Sequence, residues 1–172
     1  MSSNKINRLY QIIVGTFVVF LSAAAIFQMM GLRINISNSA PLGIYRLESR
    51  GKISRGDCIA INTEWDKKGI ELGIHKRPHR MLKLVEGVPG DKVEYLDDLL
   101  TVNARQIPGS TIKETDSKGQ KLPHPAYPYV ISEDHYLAIS VAHEEGAWDS
   151  RYFGPVPISA ITNKCTLVWG WK

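Results

Sequence analysis

Three short segments of this 172-residue chain carry side chains whose type and spacing could do chemistry. The first is Asn35-Ile36-Ser37-Asn38-Ser39-Ala40-Pro41-Leu42-Gly43-Ile44-Tyr45. Two serines two apart, followed by proline and glycine, put hydroxyls on a stiff turn where backbone N–H groups can face a substrate. Ser, Asn and Pro are equally the residues of an ordinary linker. The second segment sets Lys83 among Met81, Leu82, Leu84 and Val85, ahead of Gly87-Val88-Pro89-Gly90-Asp91. Such a lysine either points to water and guards a sheet edge, or is a desolvated amine whose pKa falls because burial disfavours its charge. Only the second kind can act as a general base, since an ammonium cannot accept a proton. The third is Trp148-Asp149-Ser150-Arg151-Tyr152-Phe153-Gly154-Pro155-Val156-Pro157, where Asp149 and Arg151 share one face of an extended segment and can pair before a Gly-Pro turn.

The elements that position these residues follow from composition and pattern. Of the 21 basic residues, Lys5 and Arg8 precede residue 32, which leaves 19 bases against 17 acids in the remainder. That balance gives no basic face and excludes a nucleic-acid partner. From Leu9 to Leu32 no residue is charged, and the stretch 9–31 is long and apolar enough for a transmembrane anchor. A cleaved secretory signal ending at Ala23-Ala24-Ala25 is the rival, but Ile26, Phe27, Met29 and Met30 carry the apolar run onward. Lys5 and Arg8 keep residues 1–8 cytoplasmic, so 32–172 lie on the outer, periplasmic side of the inner membrane. In that compartment Cys58 and Cys165 are free to pair or to stay as two small buried hydrophobes.

Past residue 32 the pattern is of short β-prone runs between turn residues: Gly43–Leu47, Asp57–Asn62, Arg80–Val85, Lys92–Tyr95, Leu99–Val102, Tyr136–Ser140 and Lys164–Trp169. The fold class is mainly β. Val88-Pro89-Gly90-Asp91 fits a type II turn, Asp97-Asp98 a hairpin turn, and about 94–130 an excursion of hairpin and loop away from the core.

In this order, the three segments resemble the type I signal peptidase clan: a Ser-x-Pro after an N-terminal span, a Lys before Gly-x-Pro-Gly-Asp, and Asp-Ser-Arg-Tyr-Phe-Gly-Pro-Val near the C-terminus. The form Ser39-Ala40-Pro41-Leu42-Gly43-Ile44-Tyr45 is similar to the TraF-type peptidases of conjugative transfer. The resemblance implies a β-rich catalytic domain behind one transmembrane helix, with Ser39 as nucleophile and Lys83 as general base. Ser37 falls where the clan places an oxyanion donor beside the Ser39 N–H, and Asp149 and Arg151 match the pair that supports the site. It implies an exported preprotein as substrate, the conjugative pilin precursor above all, with cyclisation of the product in some systems. It implies no cofactor, no metal, and a monomer or a component of the transfer machinery in contact with membrane lipid. Two departures stand out. Leu84 occupies the place of a frequent Arg, and Ala147 that of a Ser which in many members bonds the lysine.

Other readings are weaker. A Ser39, His143, Asp149 triad is possible on residue types but lacks a G-x-S-x-G elbow. His75 and His79 are four apart, yet Lys76-Arg77-Pro78 between them supplies no glutamate and breaks a helix. A general signal peptidase, or a non-catalytic membrane-anchored assembly protein, would share the anchor. Trp169 and Trp171 fit either a membrane interface or a plain core.

Overall fold

The structure is a computed structural model that describes residues 3–36, 40–140 and 147–171. Its first element, α1 (Ser3–Met29), is a helix of 27 residues. Within it Asn7–Met29 has a mean hydropathy of 2.2 and none of its residues is buried in the rest of the protein, so this helix is long and apolar enough to cross a membrane. It stops at Gly31, whose φ of +71° is the left-handed conformation that ends helices. A Cβ there would sit 2.8 Å from the Leu47 carbonyl oxygen. That carbonyl's own residue in turn donates its N–H to Gly31, at 2.9 Å. Only glycine fits this joint between helix and domain.

The domain is built from β1 (Leu32–Asn35), β2 (Gly43–Glu48), β3 (Cys58–Asn62), β4 (Arg80–Gly87), β5 (Lys92–Leu96), β6 (Leu99–Val102), β7 (Arg105–Gln106), β8 (Tyr129–Val130), β9 (His135–Ile139), β10 (Val156–Pro157) and β11 (Ile161–Gly170). Two short helices, α2 (Lys67–Glu71) and α3 (Ser150–Phe153), interrupt them. The strands form a seven-stranded sheet in the order β1-β2-β11-β3-β4-β9-β10 and a four-stranded sheet in the order β7-β6-β5-β8. The mainly β class expected from the turn-punctuated runs is what the chain adopts. β4 lies inside the larger sheet, between β3 and β9, so Lys83 does not guard an edge.

Alternation explains how one strand serves two cores. Along β9, Tyr136 and Ala138 pack with Ile59, Ile61, Val85 and Ile161, whereas Leu137 and Ile139 pack with Val93, Leu100, Val102 and Ile131 of the smaller sheet. Successive strand residues face opposite sides, so a strand buried on both faces reads as an unbroken apolar run. The two sheets are thereby joined through β9.

Turn chemistry sets the registers. Asp97 and Asp98 both have positive φ, at 51° and 61°, and connect the paired ends Leu96 and Leu99, the geometry of a two-residue hairpin turn. At Val88-Pro89-Gly90-Asp91 the Asp91 N–H reaches the Val88 carbonyl at 3.1 Å, with Gly90 at φ +87°. Asp91 then locks this turn: its carboxylate accepts from the Val88 N–H at 2.8 Å, from Arg55 at 2.7 Å and from Asn103 at 2.7 Å. Burial would raise its pKa, but these donors prevail and hold it below the ordinary carboxylate value.

Cys58 on β3 and Cys165 on β11 face each other in register and form a disulfide with Cα atoms 5.0 Å apart. The bridge closes a separation of 107 residues, for which loop-closure entropy gives a stabilisation of about 2–5 kcal/mol. A Cys58→Ser/Cys165→Ser double variant should be less stable than the parent by about that amount, and the parent's native mass should lie two hydrogens below that of its own reduced form. Equal stability of variant and parent in urea would show that the bridge contributes nothing.

Candidate active site

Lys83 stands on the inward face of β4, where Met81, Lys83, Val85 and Gly87 are buried and the residues between them only half-buried. It is 2% exposed. The pairing of Leu84 with Ile139 brings Ser140, the residue just past β9, to the level of Lys83. The Lys83 Nζ donates to the Ser140 Oγ, and the Ser140 N–H donates to Asp149 Oδ2 at 2.9 Å. Desolvation lowers the Lys83 pKa from 10.5 to about 8; nearby Asp149 opposes that fall and Arg151 adds to it. An amine in this state can release its proton near neutral pH and take one up again.

Asp149 and Arg151 are both fully buried. The sequence places them on an extended segment, and here the structure differs. Asp149 is the N-cap of α3, its side chain accepting from the Arg151 N–H, and Gly154 ends the turn at φ +81°. A spacing of two suits one strand face, but it equally suits a cap reaching the second N–H of a helix, and the helical solution satisfies a buried donor. The ion pair does form: Arg151 Nε lies 2.9 Å from Asp149 Oδ1 and Nη2 3.0 Å from Oδ2. The other face of the guanidinium donates to the carbonyls of Gly109 at 3.1 Å and Thr111 at 2.9 Å. Both Asp149 oxygens are thus engaged by Arg151 and the Ser140 N–H, which a triad histidine would have to displace.

Ser37 and Ser39 lie outside the described residues, as does His143. The segments flanking 37–39 are firmly held. Asn35, buried at the end of β1, donates from Nδ2 to the Ala40 carbonyl at 3.0 Å and to the Pro41 carbonyl at 3.1 Å. The Tyr45 hydroxyl also donates to the Pro41 carbonyl, at 2.8 Å. Ala40 is packed against Tyr45 and the disulfide, with Leu82 beside them.

Ser140 is the residue that sequence reasoning missed. The vacancy at Ala147 shows that Lys83 needs another partner, and Tyr136–Ser140 is legible as a strand, but only the β4–β9 register says which residue of that strand meets the lysine. His75 and His79 form no metal cluster among the described residues. His75 is buried and instead bonds Asp66 at 2.9 Å, and Asp66 also accepts from the Trp148 indole. Trp169 is 68% exposed and Trp171 39%, so neither is core.

A family model described as signal peptidase, peptidase S26, matches residues 5–171. The conjugal transfer protein TraF of Agrobacterium tumefaciens (strain 15955) is 31% identical over 155 residues, 84% of this chain and 85% of that one. The plasmid transfer protein TraF of Escherichia coli is 27% identical over 172 residues, 94% of this chain and 95% of that one. A signal peptidase I of Bacillus licheniformis is 26% identical over 164 residues, 87% of this chain and 82% of that one. A crystal structure of a signal peptidase I from Enterococcus faecalis V583 superposes with a TM-score of 0.42 at 23% identity, over 67% of this chain and 98% of that chain. The chain belongs to the signal peptidase family, peptidase S26, as a TraF-type member, and it is a peptidase of the signal peptidase type.

The depressed Lys83 pKa has a consequence for stability. The unfolded lysine binds its proton with the ordinary pKa of 10.5 and the folded one with a pKa of about 8. Below that lower value both states are charged and the folded state bears the whole desolvation cost; as pH rises from there to the upper value the cost is lost. Lys83→Met should therefore stabilise the protein at neutral pH by about 3 kcal/mol, with the gain disappearing above the ordinary lysine pKa. Urea unfolding at a series of pH values checks this, and a gain that is absent or independent of pH would show a solvated amine.

Proposed function

We propose that this protein is a membrane-anchored serine endopeptidase in which Ser39 is the nucleophile and Lys83 the general base. The observation that carries the reading is the Lys83 amine itself: buried, bonded to Ser140, and brought by desolvation to a pKa of about 8. A charged lysine on a surface strand would have no such property. Ser39, in the segment that Asn35 and Tyr45 pin on its C-terminal side, attacks the scissile carbonyl carbon while neutral Lys83 removes the hydroxyl proton. The tetrahedral oxyanion is met by the Ser39 N–H and the Ser37 hydroxyl. Its collapse breaks the peptide bond, the proton held by Lys83 passes to the leaving amine, and an acyl-enzyme on Ser39 remains. Asp149 and Arg151 hold Ser140, and through it Lys83, without touching the substrate.

The setting follows from the anchor. Lys5 and Arg8 keep the N-terminus cytoplasmic, so the domain lies on the outer side of the inner membrane, which agrees with a disulfide between Cys58 and Cys165. The substrate is an exported preprotein, and the TraF relatives, described as conjugal and plasmid transfer proteins, favour the conjugative pilin precursor. The acyl-enzyme then passes to water, giving a linear product, or to the pilin's own amino terminus, giving a ring. Ring closure needs that amine to be held close enough to outrun water through effective concentration.

Ser39→Ala should abolish cleavage, whereas Ser37→Ala, which removes one oxyanion donor of two, should lower kcat about 10²–10³-fold. A folded Ser39→Ala protein with full activity would overturn the assignment. The intact mass of pilin from cells carrying the parent or Ser39→Ala protein tests the substrate, a ring being one water lighter than the linear form and lacking a free N-terminus.

Activity should also rise with pH through about 8, as Lys83 loses its proton. Lys83→Arg should be as inactive as Lys83→Ala, because a guanidinium stays protonated. A near-normal rate for Lys83→Arg would make the lysine structural only.

A further inference from the structure

A groove of about 300 Å³ runs beside this site, lined by Arg33, Ile34, Asn35, Leu47, Arg80 and Leu82. Residues two apart share a strand face, so Arg33 and Asn35 form one wall from β1 and Arg80 and Leu82 the other from β4. Each wall runs directly into the candidate chemistry. Past Asn35 the chain enters 37–39, and the residue after Leu82 is Lys83. β1 is the edge strand of its sheet, and β4 pairs with β9 only from Leu84 onward. Main-chain groups on both walls are therefore open to an extended peptide, the geometry of strand addition.

The floor is apolar, but the rim is cationic. Both arginines are exposed, and among the described residues neither has a carboxylate partner. The one side-chain hydrogen bond shown for them is from Arg33 to the carbonyl of its neighbour Leu32. Some surface cations are paired, Arg55 with Asp91, Arg105 with Glu86 and Lys164 with Asp57; what sets Arg33 and Arg80 apart from the other cations without a carboxylate is that both line one groove. Two guanidinium groups lining one groove, neither with a carboxylate partner among the described residues, favour a carboxylate in a bidentate pair.

Resting on the peptidase reading above, we infer that this groove selects its substrate by charge: it takes an extended peptide with an acidic side chain close to the scissile bond, held by Arg33 and Arg80. The ligand is a peptide carboxylate rather than a lipid phosphate, because the arginines share the groove with Asn35 and Leu82, whose neighbours in the chain lead into the candidate site.

The test uses the full-length chain in detergent and alanine-rich peptides in which one Glu, Gln or Lys is moved through the positions flanking the cleaved bond. At one position the Glu peptide should exceed its Gln counterpart in kcat/KM about tenfold at low salt, the preference shrinking as salt rises. In Arg33→Gln/Arg80→Gln the ratio of Glu to Gln should fall to about one, and in Arg80→Glu the order should invert in favour of Lys. Ratios within one enzyme do not depend on how much of it is folded, and cleavage of the Lys peptide by Arg80→Glu reports an intact site. Cleavage by the parent protein with no preference between Glu and Gln at any position overturns the inference and leaves the peptidase reading standing. A preference that survives the double substitution also overturns it. So does a preference absent from peptides while the two arginines govern binding to vesicles of anionic phospholipid. Failure of the parent to cleave any peptide or the pilin precursor would instead remove the Ser39 and Lys83 reading beneath it.

Discussion

The fully buried ion pair of Asp149 with Arg151 is the interaction on which the site depends. Two charges removed from water are tolerable only when they neutralise each other and every remaining donor and acceptor finds a partner. Here Arg151 spends its other donors on the carbonyls of Gly109 and Thr111, and Asp149 takes the Ser140 N–H. One ion pair thereby fixes three segments distant in sequence: the end of β9, the long excursion after β6, and α3. Lys83 sits beside a group of no net charge. Asp149 pulls its pKa up and Arg151 pushes it down, so what remains is the desolvation that lowers it. Had only the carboxylate been present, the attraction would have raised the lysine pKa and worked against a neutral amine.

The larger sheet supplies what the ion pair cannot, which is the depth at which Lys83 lies. β4 lies between β3 and β9; of its inward residues, Val85 packs with Ile59, Ile61 and Ala138 and Met81 with Leu122, Trp148 and Tyr152. The strand ends in a turn that Asp91 holds through Arg55, Asn103 and the Val88 N–H. Next to it, the Cys58–Cys165 bridge ties β3 to β11. A lysine amine in such a place destabilises the fold, and rigid surroundings of this kind are what keep it buried rather than letting the strand shift to expose it.

Much of this was legible in the sequence where the signal is local. Leu99–Val102 is a strand over those very residues, because its neighbour Asp97-Asp98 can adopt the positive φ that a tight hairpin needs. The burial of Lys83 could be read from Met81 and Val85 on the same face. β7, β8 and β10 are two residues each and exist only through their partners, so no run of residue types announces them. β1 is absent from the runs read in the sequence: Leu32-Arg33-Ile34-Asn35 alternates apolar and polar, but four residues directly behind a long apolar helix are too few to stand out from its end. α3 was misread because Asp-x-Arg serves an extended pair and a helix cap equally well. Ser140 was out of reach altogether: a serine at a strand end carries no local mark, and its role appears only when the β4–β9 register is known.

The chain between the apolar helix and the domain is short. α1 ends at Met29, Gly31 turns the chain, and β1 starts at Leu32, with Gly31 already bonded to Leu47 of the domain. Residue 39 is ten residues beyond the helix, at most about 35 Å even if fully extended, and strand pairing of β1 with β2 shortens that reach. Ile36, at 82% exposure, lies on this same short stretch. An exposed apolar residue so close to a helix long and apolar enough to cross a membrane suits a lipid interface, and Trp169, exposed near the end of β11 where β11 pairs with β2, is of the type enriched there. The domain therefore stays within a short reach of the end of this apolar helix.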